Sequence, residues 1–183
     1  PHLSMKCLTA VEIKHLSQIS EISISEVLSK LIDAGLTSLP GGGAEILDDE
    51  VRKVICNGKE SSEEYLDIHR TAHLLGIPTN STMLFGTIET ASQRIKHLDK
   101  IRRLQDDTGG FQCFVPYPFL PDRTRLPQAQ HSTGNETLRT ISISRIMLDN
   151  VPHIKAYRMN IGDHLASLAL NAGADDVDGT VGH

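Results

Sequence analysis

Leu75-Gly76-Ile77-Pro78-Thr79-Asn80-Ser81-Thr82-Met83-Leu84 carries a helical pattern through a glycine into a β-rich run. Glycine just past the last helical residue takes the left-handed cap conformation, and the chain then leaves extended. The same punctuation recurs on both sides. It stands at Ala34-Gly35 before Leu36–Leu39, at Thr108-Gly109-Gly110 before Phe111–Val115, and at Ala172-Gly173 before Ala174–Val177. Asp149-Asn150 before His153–Tyr157 is a variant without glycine. Helix starts are marked by Ser23-x-x-Glu26, Ser61-x-x-Glu64, Thr90-x-x-Gln93 and Thr133-x-x-Glu136. Each reads as a capping box, in which the hydroxyl accepts a first-turn N–H and the third residue reaches back. The helix over Ala91–Asp107 sets Ile95, Leu98, Ile101 and Leu104 on one face, with Arg94, Lys96, Lys100 and Arg103 outside. The helix over Glu136–Asn150 spreads Leu138, Ile141, Ile143, Ile146 and Leu148 around itself, which predicts that it is largely buried.

Strands alternating with helices predict an α/β fold of repeated parallel βα units. The strands are expected near Leu3–Thr9, Thr37–Leu39, Thr79–Leu84, Phe111–Val115, His153–Tyr157 and Asp175–Val177. An open doubly wound sheet and part of a TIM-type (β/α) barrel both fit that succession. A complete barrel takes about 250 residues, and the chain has 183. It opens at Pro1-His2-Leu3 in a strand-like stretch and stops at Gly182-His183. A partial barrel is therefore the expectation. The longest irregular piece is Pro116–Ser132, and a loop of that length is more often functional than inert.

Composition narrows the function classes. The net charge of −5 and the scattered basic residues do not favour nucleic acid or an anionic membrane. Three Tyr, four Phe and no Trp supply no stacking platform for bases. No apolar run approaches the roughly 20 residues of a membrane span. Cys7, Cys56 and Cys113 are odd in number and far apart, which speaks for a reducing, cytoplasmic setting and against a metal motif.

In parallel α/β folds the working groups follow the C-terminal ends of the strands. Those positions hold Thr9 and Glu12, then Pro40-Gly41-Gly42-Gly43-Ala44-Glu45, then Asn80, Thr82 and Met83 with Phe85-Gly86, then Pro116-Tyr117-Pro118, then Tyr157-Arg158 with Asn160 and Asp163 following. The triple glycine lets backbone approach a ligand closely, or makes a flexible turn; it is neither a Walker loop nor a dinucleotide turn. Glu45 suits a ribose hydroxyl or an ammonium group, and equally a place in the first turn of a helix over Asp48–Cys56. His69 and His73 share one helical face at zincin-like spacing, but Arg70 stands where the catalytic Glu would be, so packing is the stronger reading. Asp175-Asp176-x-Asp178-Gly179 resembles a fragment of a calcium loop without its frame.

Five strings then form a set: Ser38–Leu47, His69–His73, Thr82–Gly86, Leu104–Phe111 and Ile146–Asn150. Together they resemble the aminofutalosine synthase and cyclic dehypoxanthine futalosine synthase group of radical S-adenosylmethionine (SAM) enzymes. The likeness runs from Leu8–Ile13 to the end, and Gly173–Val181 is nearer the synthase branch. The resemblance implies that residues 1–183 are the C-terminal part of a radical SAM barrel. It implies a CxxxCxxC half upstream of Pro1 that holds a 4Fe–4S cluster. SAM and that cluster would be cofactors of the full-length parent, with neither retained by this chain alone. The implied reaction adds a 5′-deoxyadenosyl radical to 3-[(1-carboxyvinyl)oxy]benzoate, giving aminodeoxyfutalosine on the way to menaquinone. Thr9, Glu12, Thr82, Met83, Phe85 and Gly86 would then serve the cofactor. Gly41, Gly42, Gly43, Glu45, Asn80 and Tyr117 would border the substrate, with Arg158 and then Arg125 as partners for its carboxylates. Arg158 departs from the group, which often carries an aromatic there. No catalytic residue and no metal ligand is assigned.

Three rival readings stand beside this one: the cyclase, a non-catalytic module that self-associates through exposed sheet edges, and a metal hydrolase using His69 and His73. The expected partner is a small-molecule substrate.

Overall fold

A computed structural model describes residues 4–122, 124, 126 and 129–179. The described residues form seven helices and four strands, which alternate from α4 onward: α1 (Ala10–Ser20), α2 (Ile24–Asp33), α3 (Asp49–Ile55), α4 (Ser62–Leu74), β1 (Thr79–Phe85), α5 (Ala91–Thr108), β2 (Phe111–Pro118), α6 (Gly134–Met147), β3 (His153–Ala156), α7 (Arg158–Leu170) and β4 (Asp176–Val177). The strands lie in the order β1-β2-β3-β4 and every pairing is parallel. Two isolated parallel bridges, Lys6 to Ser38 and Leu39 to Thr79, precede β1. Spatial order therefore follows chain order throughout. A doubly wound sheet reverses its order at a switch point, so this succession is that of a partial (β/α) barrel.

The first two expected strands shrink to those bridges. Pro40 has no N–H with which to carry the ladder past Leu39, and Leu8 turns to φ 64°. β2 runs further than expected, through Pro116 and Pro118, which pair with Met83 and Phe85 of β1. β3 joins β2 only at Cys113 and Phe114. Beyond that point the β3 side of β2 makes no ladder, so prolines lacking N–H cost nothing there.

The capping boxes at Ser23, Ser61 and Thr90 form as read. Thr133 accepts from Glu136 N, but the Glu136 carboxylate goes to Arg94 Nη1 at 2.8 Å, so that box is half made. α6 is also less buried than its apolar residues predict. Thr137, Thr140, Ile141 and Ser144 face the core, whereas Ile146 is 75% exposed. On α5 the expected phase slips at the N-terminus. Arg94 is half-buried over the Phe85 ring, 5.1 Å from its centroid, and Ile95 faces solvent.

The core fills the layer between the helices and the outer face of the sheet, with Leu39, Ile68, Ile77, Leu98, Ile101 and Phe114 fully enclosed. His69 and His73 belong to it. His69 Nδ1 and His73 Nε2 both hydrogen-bond Thr79 Oγ1 at 2.8 Å, and His73 Nδ1 reaches Thr108 Oγ1 at 2.6 Å. Both rings pack on Phe111. A Cβ on Gly110 would lie 2.1 Å from the His73 ring, so the second glycine of Thr108-Gly109-Gly110 exists to admit that imidazole. Packing is thus the role of the pair, and among the described residues no cluster of three or more metal-ligating side chains occurs. Nor is any described helix long and apolar enough to cross a membrane.

Burial holds the imidazoles neutral, lowering His69 and His97 to about 3 and His73 to about 4. The unfolded chain binds these protons near pH 6.5, so below that pH the unfolded state holds more of them and stability falls with acid. Urea unfolding at pH 7.5, 6 and 5 is expected to show the unfolding free energy dropping as pH falls, by at most about 1.4 kcal/mol per pH unit for each imidazole. A flat profile over that range would contradict the buried, neutral assignment.

Candidate functional site

Side chains alternate across a strand, and the alternation divides the site residues. On β1, Thr79, Met83 and Phe85 meet the helices, while Asn80 and Thr82 face the opposite side. The register carries that inner face onto Val115 and Tyr117 of β2, then Lys155 of β3. The result is a cleft of about 600 Å³ on the concave side of the sheet, with Gly41 and Gly42 at one rim and Tyr157 and Asn160 at the other.

The glycine rim is rigid. A Cβ on Gly41 would stand 2.8 Å from the Ser81 backbone, so only glycine lets the loop lie directly on β1. The Gly41 carbonyl accepts from Tyr65 Oη at 2.9 Å and from Thr82 Oγ1 at 2.8 Å. Gly43 takes φ 104° with its Cα against the Glu60 carboxylate. Beneath the loop, buried Arg52 donates through Nη1 to the Gly43 carbonyl at 3.0 Å and the Ala44 carbonyl at 2.6 Å. Its Nε and Nη2 donate to the Glu60 carbonyl at 3.0 and 2.6 Å, and Nη2 lies 3.4 Å from Glu60 Oε1. Burial raises the pKa of Glu60, with Arg52 opposing. Glu45 sits before α3 rather than in its first turn, at φ 39°, and pairs with the Lys59 ammonium at 2.5 Å.

Of the residues expected to bind ligand, Gly41, Gly42, Asn80, Thr82 and Tyr117 share the cleft. Asn80 Oδ1 is buried there without a hydrogen-bond partner among the described residues. Gly43 and Glu45 belong to the network under the loop. Thr9 and Glu12 form the capping box of α1, with Thr9 N and Oγ1 donating to Glu12 Oε2 at 2.7 and 2.8 Å. Met83 and Phe85 turn to the helices. Gly86 makes the turn after β1, where the buried Glu89 carboxylate accepts from Gly86 N, Thr87 N and Arg94 Nε. Arg158 opens α7 and pairs with Asp163 at 3.1 Å, away from the cleft lining. Arg125 lies outside the described residues.

The sequence reading missed Lys6 and Lys155 as lining residues, whereas Asn160, expected just after the fifth strand, is in the lining. For Lys155 the signal was present, since His153-Ile154-Lys155-Ala156-Tyr157 alternates polar and apolar residues. Tyr117 and Tyr157 pack with ring centroids 5.7 Å apart, and burial pushes the Tyr117 hydroxyl up to about 12. The acidic string near the C-terminus is engaged by partners within the chain. Asp175 pairs with Arg145 and His153, Asp176 with Lys155, and Asp178 accepts from the first amides of α7, Arg158 N and Met159 N.

Two family models cover the chain: the radical SAM superfamily over residues 4–101, and the CofH/MqnC C-terminal region over residues 108–181. Aminodeoxyfutalosine synthase of Thermus thermophilus is 48% identical across 99% of the chain and 50% of its own length. Cyclic dehypoxanthine futalosine synthase of Streptomyces coelicolor is 44% identical across 97% of the chain and 44% of its own length. The chain thus spans about half the length of these curated relatives. Among solved structures, methylornithine synthase superposes with a TM-score of 0.65 at 21% identity, over 90% of the chain and 50% of the other. That likeness is one of fold.

The ion pair under the glycine loop is directly testable. Arg52→Met leaves Glu60 buried without its counter-charge and is expected to cost about 3–5 kcal/mol in urea unfolding. Adding Glu60→Leu should restore the part due to the stranded carboxylate, while the carbonyls of Gly43, Ala44 and Glu60 stay without their donor. If the double variant is as unstable as the two single losses summed, Arg52 and Glu60 are not coupled.

Proposed function

The chain belongs to the radical SAM superfamily, and from that premise we propose that it forms the second half of the catalytic barrel of an aminodeoxyfutalosine synthase. The observation that carries this reading is the 48% identity to that enzyme over 99% of the chain, including residues 108–181, which match the CofH/MqnC C-terminal region. The substrate would be 3-[(1-carboxyvinyl)oxy]benzoate, used in a cytoplasmic route to menaquinone. When bound, SAM together with a reduced 4Fe–4S cluster supplies an adenosyl radical.

The described residues do not fit the cluster itself. Cys7, Cys56 and Cys113 stand on separate elements, and no metal-ligating group of three gathers around them. The cluster's ligands would come from another part of the protein. The cleft does fit a polar ligand such as SAM. Asn80 Oδ1 offers an unsatisfied buried acceptor to an amino or ribose donor, and Thr82 and the Gly41 backbone line the same wall. The work of this chain is then to bind, to orient and to exclude water. Arg52 fixes the rim, the inner face of β1 receives the polar ligand, and the two tyrosines wall the far side.

The cyclase is the second reading, favoured by the 44% identity to that enzyme. The deciding experiment supplies the full-length, cluster-reconstituted protein with each substrate in turn. Consumption of the carboxyvinyl ether, with aminodeoxyfutalosine formed, is the expected result. Consumption of dehypoxanthine futalosine alone would transfer the protein to the cyclase branch, and turnover of neither would remove both readings.

A further inference from the structure

We propose that Lys155, with Lys6 beside it, anchors a carboxylate of an aromatic substrate whose ring lies against Tyr117 and Tyr157. The inference deepens the function proposed above and rests on that reading for the substrate's identity.

Register supplies the geometry. Cys113 of β2 pairs with His153 of β3, which sets Val115 level with Lys155. Val115 is in turn level with Thr82 of β1, and Lys155 is level with Asp176 of β4. Tyr117 and Tyr157 come two residues later on their chains. Two residues of strand advance roughly 6–7 Å. The cleft therefore has an ammonium layer one step deeper than an aromatic layer. A flat ring between the tyrosines, with a carboxylate pointing inward, meets both. Tyrosine faces favour offset or tilted packing with such a ring, and an ammonium gives a charge-assisted bond to the carboxylate.

Charge supplies the sign. Lys155 Nζ is 3.0 Å from Asp176 Oδ2, while no carboxylate among the described residues forms an ion pair with Lys6. Asp178, which lines the cleft, accepts from the amides that open α7. Asp176 thus occupies Lys155, and the Lys6 ammonium beside it is left outside any ion pair among the described residues, open to an incoming anion. Burial lowers the pKa of Lys6, and the neighbouring Lys155 charge acts in the same direction. An incoming carboxylate relieves that repulsion. Arg158 is not among the residues that line the cleft.

Two arms test the assignment on the full-length, reconstituted protein. In the first, calorimetric titration compares 3-hydroxybenzoate with 3-hydroxybenzamide. The wild type is expected to prefer the carboxylate. Lys155→Met is expected to reduce that preference by about tenfold or more, with Lys155→Arg retaining most of it. Lys6→Met, which breaks no ion pair, carries the same expectation and guards against misfolding of the Lys155 variant. In the second arm, turnover of 3-[(1-carboxyvinyl)oxy]benzoate is expected to show a raised KM in Lys155→Met with KM for SAM unchanged.

Equal binding of acid and amide by the wild type overturns the proposal, as does a preference unchanged in both methionine variants. A KM rise for SAM in place of the substrate also overturns it, assigning the lysines to the cofactor's carboxylate. Absence of turnover, with the binding preference present and lysine-dependent, would instead remove the synthase reading and leave the carboxylate anchor standing.

Discussion

Arg52 is the side chain on which the site's geometry depends. Its guanidinium ties three carbonyls from two separate segments, Gly43 and Ala44 on one side and Glu60 on the other. A buried loop must find partners for every carbonyl it turns inward, and a glycine-rich segment has no side chains of its own to offer. The planar fork of arginine meets that need from below. With those carbonyls fixed, the loop lies flat on β1, and the Gly41 carbonyl remains for Tyr65 and Thr82. The rim of the cleft is thus set by a charge that never reaches the cleft.

The two faces of the sheet do different work. The outer face is packed against helices, and there two imidazoles share Thr79 Oγ1. The inner face leaves groups open: the amide oxygen of Asn80 and the ammonium of Lys6.

Local chemistry was the legible part of this sequence. Hydroxyl-to-carboxylate caps at Ser23 and Ser61, and glycine stops at Gly35, Gly76 and Gly109, act within one helical turn, so four or five residues suffice to read them. Thr9 and Glu12 obey the same grammar, yet their place after a strand suggested a ligand contact; the cap claims both side chains. The phase of the inner face was not legible. That Met83 and Phe85 turn to helices while Asn80 and Thr82 turn inward depends on how β1 pairs, and its partner β2 lies some 30 residues away. Arg52 was hidden for a similar reason. On a short polar helix it reads as solvated surface, and only the fold brings Glu60 and the glycine loop around it.

Pro116 and Pro118 act as the stop on a zipper. β2 and β3 are joined at two residues and then part, because on the side where β3 would continue β2 presents no donors. Asn160 fills part of the gap by donating to the Pro118 carbonyl at 3.1 Å. The sheet cannot close further however favourable the neighbouring contacts, so the aperture beside Tyr117 and Tyr157 is written into covalent structure. A mouth held open by missing hydrogens needs no hinge.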